Sequence, residues 1–207
     1  MKKTFQFISV SLAIVCVSFA FILGDTITEL PIGSTIPKPT VKMKDAVSGK
    51  EMSLNDAKKE NGLVVIFSCN TCPFVIKYEE RMKVCYETAV KNKMGYILVN
   101  SNEALRDKED SYDAMVSHAK EYNYKWAYVV DNSSQLANEF GATRTPHVFV
   151  FDKDNKCVYH GGVDDNANDP TAAKEHYLTD AITSIAAGKP ISNNSTKSIG
   201  CSIKRKQ

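Results

Sequence analysis

The sequence lacks the features of several protein classes. Its 26 Lys and Arg residues nearly balance its 24 Asp and Glu residues, so the formal net charge is only +2. A charge so close to zero gives no basic surface for a nucleic acid, and no nucleic-acid partner is expected. A second C-x-x-C motif and a His pair at ligand spacing are also missing, whereas a structural zinc site usually needs four ligands. The sequence therefore predicts no metal ion and no cofactor.

The first 24 residues have the composition of an export signal. Lys2 and Lys3 precede an apolar stretch at residues 5–23, and Ser18-Phe19-Ala20 offers a small-x-small cleavage site. The stretch is long for a signal peptide and nearly long enough to span a bilayer. Residues 1–24 are therefore predicted to be a signal peptide or a membrane anchor. Either way, the rest of the chain is exported: periplasmic, extracytoplasmic or secreted.

The remainder divides into a linker, one domain and a tail. Residues 25–39 are rich in Pro, Gly and Thr and show no hydrophobic period, which indicates a linker. Residues 40–190 are long enough for one domain with a full hydrophobic core. Residues 191–207 form a polar tail with too few apolar residues to order itself.

Strand and helix patterns alternate along the domain. Short apolar runs predict buried strands, and apolar residues at steps of three and four predict helices. The predicted order is a hairpin at 41–54, a strand at 63–67, a helix to about 92, a strand at 96–99, a helix at 111–122, a strand at 126–130, a helix at 134–140, strands at 148–151 and 157–159, and a helix at 171–187. The alternation indicates a parallel core, and the last two strands read as an antiparallel hairpin. The fold class is thus α/β, with a mixed central sheet flanked by helices and an N-terminal hairpin extension.

The motif Cys69-Asn70-Thr71-Cys72 lies where a buried strand turns into a helix. A helix N-terminus offers free N–H donors and a partial positive charge, which favour a thiolate over a thiol. Cys69, nearer the opening, is predicted to attack, and Cys72, one turn further in, to resolve. On this assignment a Cys72→Ser variant traps substrates as mixed disulfides. A static disulfide is the alternative, although so small a loop would stabilise little.

The extended motif Cys69-Asn70-Thr71-Cys72-Pro73 and the order of elements resemble the thioredoxin-like redoxins that lie between thioredoxins and peroxiredoxins. The resemblance covers about residues 30–203 and is carried by residues 67–75, 99–102, 145–146, 159–166 and 200–203. It implies a thioredoxin fold, a redox-active Cys69–Cys72 pair and a cis peptide before Pro146 that faces the cysteines. Such a proline leaves the backbone of Thr145 free to pair with an extended substrate, so Thr145 and Pro146 are predicted to bind substrate. The alternative is an ordinary trans proline that opens an edge strand.

The sequence departs from this family at two positions. Thr71 stands where relatives commonly have His, and the loss of that cation should raise the pKa of Cys69 and make the pair a weaker oxidant. Leu63 occupies the strand position where thioredoxins keep a buried acid that assists resolution. The group that moves this proton is therefore not identified by the resemblance.

Three functions compete. The leading one is an exported reductase or isomerase of protein disulfides, with protein thiols or disulfides as substrates and an unidentified redox partner. The second is a thiol peroxidase, although a peroxiredoxin has Thr three residues before its peroxidatic Cys, and this chain has Ile66 or Cys69 there. The third is a non-catalytic binding module on the same fold.

Three further cysteines follow the motif. Cys85 lies on the apolar face of the predicted helix and is expected to be a buried core thiol. Cys157 alternates in a hairpin strand and could point to either face. Cys201 is either a stray thiol on a disordered tail or an accessory redox thiol on a tail that docks through Ile199 and Ile203. The odd number of cysteines after the leader favours a role for it.

Overall fold

The computed structural model describes residues 27–206. The predicted leader at 1–24 lies outside the described residues, as do the first two residues of the predicted linker. Within the described part of the chain, no helix combines the length and apolar character needed to cross a membrane.

The described residues form nine strands and five α-helices. The strands are β1 (Met43–Lys44), β2 (Glu51–Met52), β3 (Leu63–Ser68), β4 (Gly95–Asn100), β5 (Ala127–Val130), β6 (Arg144–Thr145), β7 (His147–Phe151), β8 (Cys157–Gly161) and β9 (Cys201–Ser202). The helices are α1 (Leu54–Ala57), α2 (Pro73–Lys91), α3 (Tyr112–Glu121), α4 (Gln135–Phe140) and α5 (Tyr177–Ala186). The short β1 and β2 pair antiparallel, which confirms the N-terminal hairpin extension.

A five-stranded mixed sheet in the order β5-β4-β3-β7-β8 forms the centre of the molecule. Strands β3, β4 and β5 run parallel, whereas β7 is antiparallel to both β3 and β8. All six residues of β3 are buried, as a continuous apolar run at the middle of a covered sheet requires. The predicted mixed sheet flanked by helices is therefore confirmed.

Helices cover both faces of this sheet. Val64 and Ile66 of β3 face one core, which α2, α3 and α5 complete. Leu63, Val65 and Phe67 alternate to the other face and pack with residues of α1 and α4. The period of two along β3 thus separates the two cores.

The last helix is shorter than predicted, because the backbone groups at its predicted start form other hydrogen bonds. The side chain of Asp169 accepts from the backbone N–H of Thr171 and caps a single 3-10 turn. Asp165 then accepts from the N–H of Lys174 and donates its own N–H to the carbonyl of Glu175. These backbone groups are unavailable to an α-helix, so α5 begins at Tyr177.

The described part of the predicted linker packs against the domain. Gly33 donates its N–H to the carbonyl of Cys157 at 2.8 Å, and Ile36 donates to Asn155 at 3.1 Å. The Ile36 side chain is only 6% exposed. Residues 27–39 are therefore not a free linker, because backbone pairing and apolar burial hold them against β8 and its turn.

The predicted polar tail also lies against the domain. Strand β9 pairs antiparallel with β6, and Ile203 is buried in the second core. Thr196 donates its N–H to the carbonyl of His160, which fixes the tail beside β8. Of the two alternatives, the tail is therefore docked rather than disordered: Ile203 packs whereas Ile199 stays exposed, and the domain supplies the backbone partners.

Candidate active site

Both cysteines of the motif lie at the carboxyl end of β3, where the chain enters α2. Cys72 is the residue that immediately precedes the helix, and Pro73 is the first helical residue, where its missing N–H leaves no hydrogen bond unmade. Cys69 is 2% exposed and Cys72 is 3% exposed. The pair is therefore enclosed rather than displayed at the surface.

Both sulfur atoms meet Thr145. The sulfur of Cys69 lies 3.3 Å from the Thr145 hydroxyl, and the thiol of Cys72 donates to the Thr145 carbonyl at 3.1 Å. The peptide bond between Thr145 and Pro146 is cis, which confirms that expectation. The structure thus brings together all four predicted site residues, although from segments more than 70 positions apart.

Cys201 is a third thiol at the same place. Strand β9 places it opposite Thr145, and its sulfur lies 2.8 Å from that of Cys72, within hydrogen-bond distance. Residues 27–206 contain five cysteines, all of them free thiols. The neighbouring Gly200 has no room for a side chain, since a Cβ there would lie 2.0 Å from the Thr145 carbonyl oxygen. Close backbone contact therefore delivers Cys201 to the pair.

The surroundings favour a negative charge on Cys72. Hydrogen bonding from the Cys69 thiol lowers the pKa of Cys72, and the Cys201 thiol and the Val75 N–H act in the same direction against the effect of burial. The shared hydrogen bond raises the pKa of Cys69, as do burial and the nearby charge of Asp110. Burial and Cys72 raise the pKa of Cys201 to about 11. Of the three thiols, Cys72 is thus the one whose pKa its neighbours lower, whereas the sequence predicts Cys69 as the attacking residue.

A buried polar cluster holds the loop between the two cysteines. The Asp110 carboxylate accepts from the N–H of Asn70 at 2.9 Å, from Asn100 at 2.7 Å and from Asn102 at 2.8 Å. The Tyr128 hydroxyl donates to the side chain of Asn70 at 2.9 Å. Sequence reasoning missed Asp110 because it lies in a loop without hydrophobic period, although it is the carboxylate that bears electrostatically on Cys69.

A family model described as Redoxin matches residues 31–176, well over half of the chain. The chain belongs to the redoxin family. This redoxin is 30% identical to an uncharacterised conserved protein from Geobacillus kaustophilus, with a TM-score of 0.78 over 85% of this chain and 93% of the other. No curated protein matches it.

Two more distant structures have the same fold. Peroxidoxin BcpB from Mycobacterium tuberculosis is 14% identical, with a TM-score of 0.57 over 77% of the redoxin and 98% of that chain. The thioredoxin domain of a thiol-disulfide oxidoreductase from Bacteroides vulgatus is 18% identical, with a TM-score of 0.54 over 64% and 89%. The redoxin therefore has a thioredoxin-like fold.

Among residues 27–206, the two cysteines outside the site lie in the cores. Cys85 is 3% exposed, as predicted, and burial raises its pKa to about 12. Cys157 is fully buried in the second core, which answers the question of which face it takes. Its pKa is also raised to about 12 by burial. Both thiols are protonated at neutral pH and unsuited to attack.

Proposed function

We propose that this redoxin is an exported thiol-disulfide oxidoreductase that reduces or isomerises protein disulfides through Cys69 and Cys72. The observation that supports this most is how the C-terminal strand is seated. It pairs with the backbone at Thr145 as an added strand and presents a cysteine to the motif. An extended substrate with a disulfide would use the same edge and bring its sulfur to the same place.

Cys72 is the proposed attacking sulfur. Its thiolate attacks one sulfur of the substrate disulfide, forms a mixed disulfide and releases the other substrate sulfur as a thiolate. The thiol of Cys69 then attacks the Cys72 sulfur, and its proton passes to the departing substrate thiolate. The products are a Cys69–Cys72 disulfide and a fully reduced substrate. This order is the reverse of the sequence-based expectation, and the hydrogen bonds received by Cys72 support it.

Cys201 is the proposed accessory thiol. Once the Cys69–Cys72 disulfide has formed, Cys201 attacks the sulfur of Cys72, and Cys69 leaves and takes up the proton that Cys201 loses. The products are a Cys72–Cys201 disulfide and a free Cys69, with no outside oxidant. The 2.8 Å separation of the two sulfurs supports this exchange.

Peroxide reduction is the second candidate, and the enclosure of the thiolate favours it. With Cys72 only 3% exposed, a small peroxide needs less opening than a protein chain. The Cys72 thiolate would attack the O–O bond, which yields an alcohol or water and a sulfenic acid. Cys69 or Cys201 would then condense with the sulfenic acid to form a disulfide and release water.

One comparison separates these functions. Turnover of insulin disulfides and of hydrogen peroxide is measured with a dithiol reductant for the wild type, Cys69→Ser, Cys72→Ser and Cys201→Ser, with Cys85→Ala as the control cysteine outside the site. Insulin turnover without peroxide turnover supports the oxidoreductase, and the opposite pattern supports the peroxidase. If neither substrate is turned over, the non-catalytic binding module is the remaining candidate function.

Trapping of mixed disulfides tests the assignment of roles. We expect Cys69→Ser to accumulate a mixed disulfide through Cys72, because attack survives and resolution is slowed, whereas Cys72→Ser forms none. Peptide mapping under non-reducing conditions identifies the linked residue. Accumulation in Cys72→Ser instead would restore Cys69 as the attacking residue.

Export is proposed from the leader alone, with either a cleaved signal or a membrane anchor at residues 1–24. Fractionation of cells that express the full chain, followed by N-terminal sequencing of the mature protein, distinguishes these two outcomes. Recovery of the uncleaved chain in the soluble cytoplasmic fraction would refute both.

A further inference from the structure

A second cluster of chemically reactive side chains lies on the opposite face of the sheet from the cysteines. It contains Glu29 from the N-terminal segment, His147 at the start of β7 and His160 in β8. One donor atom from each residue lies within 4.8 Å of the other two. Sequence reasoning found no His pair at ligand spacing, because antiparallel pairing of β7 with β8 brings these two together.

The separations within the cluster match those between ligands of one metal ion. The Nε2 atom of His147 lies 3.6 Å from one carboxylate oxygen of Glu29, and the Nδ1 atom of His160 lies 3.1 Å from the other. In a tetrahedral site with metal–ligand bonds of about 2.1 Å, two ligand atoms lie about 3.4 Å apart. A small inward adjustment would therefore place all three donors around one ion.

Within the described residues, three of the four imidazole nitrogens lack a hydrogen-bond partner. Both ring nitrogens of His147 and the Nδ1 atom of His160 are buried, and none makes a well-formed hydrogen bond within the described residues. The His147 side chain is fully buried, whereas that of His160 is 10% exposed. Buried polar atoms without partners are costly, and a bound ion would satisfy one nitrogen of each ring.

A cation close to the cluster is engaged elsewhere. The Arg144 guanidinium, three positions before His147, donates to the carbonyl of Gly200 in the tail at 3.0 Å.

The side chain of Glu29 supplies the negative charge of the cluster and lies on the side from which an ion could enter. It is 39% exposed, so the cluster opens to solvent on this side while the ring of Phe149 lies 4.6 Å from that of His147 behind it. The backbone of the adjacent Leu30 is held by a hydrogen bond to Phe140. The carboxylate is thus carried by an anchored segment.

We propose that Glu29, His147 and His160 form a site for one divalent transition-metal ion of the zinc type. Two imidazoles and one carboxylate are ligands that such ions accept, and three protein ligands leave one position for water or another small ligand. The ion would fasten residues 27–36 to β7 and β8. This site is independent of the redox proposal, since its ligands belong to the second face of the sheet.

The test measures binding of Zn²⁺ and Co²⁺ to metal-free protein in which Cys69, Cys72 and Cys201 are Ser, because thiolates bind the same ions. Isothermal titration is expected to give one ion per chain. The Co²⁺ complex should show visible absorption of a four- or five-coordinate site without the near-ultraviolet charge-transfer band of a Co–thiolate bond. Zn²⁺ should also raise the melting temperature and slow proteolysis near residue 30.

Ligand variants in the same background decide the location. Glu29→Gln and His160→Gln are expected to weaken Zn²⁺ binding by at least about 100-fold, more than is typical for loss of an outer hydrogen-bond partner. His176→Gln, at an exposed position, is the matched control and should bind like the parent. Glu29→Gln changes a partly exposed residue, so circular dichroism should show a folded protein. Absence of binding in the parent, or undiminished binding in both ligand variants, would overturn the proposal.

Discussion

Cys69 and Cys72 are almost equally enclosed, yet their partners differ. Interactions with the Cys69 and Cys201 thiols lower the pKa of Cys72, whereas the hydrogen bond with Cys72, burial and the charge of Asp110 raise that of Cys69. Hydrogen bonds to a charged form lower the pKa of an acid, and a nearby like charge raises it. At the scale of single residues, the neighbours of each sulfur, rather than its exposure, therefore determine which of the two thiols has the lower pKa.

A Cys69→Ala variant should raise the pKa of Cys72, because it removes the largest of the interactions that lower this pKa. Cys69→Ser, whose hydroxyl can still donate, should raise the pKa less. Thiolate ultraviolet absorbance during a pH titration of the reduced protein measures both, with Cys85→Ala as an unchanged control. If Cys72→Ala still shows a thiolate at neutral pH, the charge resides on Cys69 and the assignment is wrong.

Asp131 is a second residue whose surroundings decide its behaviour. Its carboxylate accepts from the N–H groups of Leu136 and Ala137 at the start of α4 and from the hydroxyl of Ser101. An Asp131→Ala variant should lose about 1–3 kcal/mol of unfolding free energy, because these buried donors are left without an acceptor. Urea denaturation measures this, and Asp154→Ala, in the exposed turn between β7 and β8, is the control.

The stabilisation that Asp131 provides should change with pH in a definite direction. Burial raises the pKa of Asp131 above its ordinary value of about 3.9. A carboxyl with a raised folded pKa contributes stability that is complete below the unfolded pKa and is lost as pH rises through the folded pKa. The stability advantage of the wild type over Asp131→Asn should therefore shrink as pH rises from about 4. A growing advantage over that range would contradict the direction of the shift.

At the scale of elements, β9 occupies the edge at Thr145 where the proposed extended substrate would pair. It contributes only two residues, yet it places Cys201 opposite Thr145. The Arg144 guanidinium also donates to the carbonyl of Gly200 at 3.0 Å. A short edge strand held by few bonds opens more readily than the central sheet. Substrate access and tail release are thus expected to be coupled.

Gly200→Ala should release β9, because the added Cβ would lie 2.0 Å from the Thr145 carbonyl oxygen. Overpacking of this kind costs about 1–3 kcal/mol. That corresponds to a roughly fivefold to 150-fold larger open population. Alkylation of Cys201 in the reduced protein should accelerate by a similar factor. Ile199→Ala, at an exposed neighbouring position, is the control. Equal rates in Gly200→Ala and the wild type would show that the strand does not gate access.

At the scale of the whole molecule, both ends of the described part of the chain pack against the sheet. The N-terminal segment runs beside β8 and the tail reaches Ile203 in the second core. The family model ends at residue 176, before the docked tail begins.

Truncation after Pro190 should lower the unfolding free energy, since it exposes the pocket of Ile203, whose burial alone contributes about 1.5–3 kcal/mol. It should also speed insulin turnover by uncovering the cysteines while it abolishes any Cys72–Cys201 disulfide. Truncation after Arg205, which removes only the last two residues, is the control. Unchanged stability and turnover in the longer truncation would mean that the tail is a passive appendage.

Local patterns in the sequence located the cysteine motif, but they predicted the order of the strands in the sheet only in part. The apolar run of β3, the helical spacing after it and the polar turn before Cys157 are each encoded by neighbouring residues, so they could be recognised without the fold. The start of α5 could not, because side chains of Asp165 and Asp169 compete for its backbone groups. Helix propensity is a property of the segment by itself, whereas these contacts depend on a loop that folds beside the segment.

The sequence by itself determined that Cys69 and Cys72 stand together at the junction of a buried strand and a helix, since three residues of separation allow nothing else. Only the tertiary structure decided in which direction the neighbours shift the pKa of each sulfur, that Cys201 arrives from 129 positions away, and that Glu29 meets two histidines. These outcomes rest on burial and on hydrogen bonds between distant segments. Such terms exist only once the chain has closed around the site.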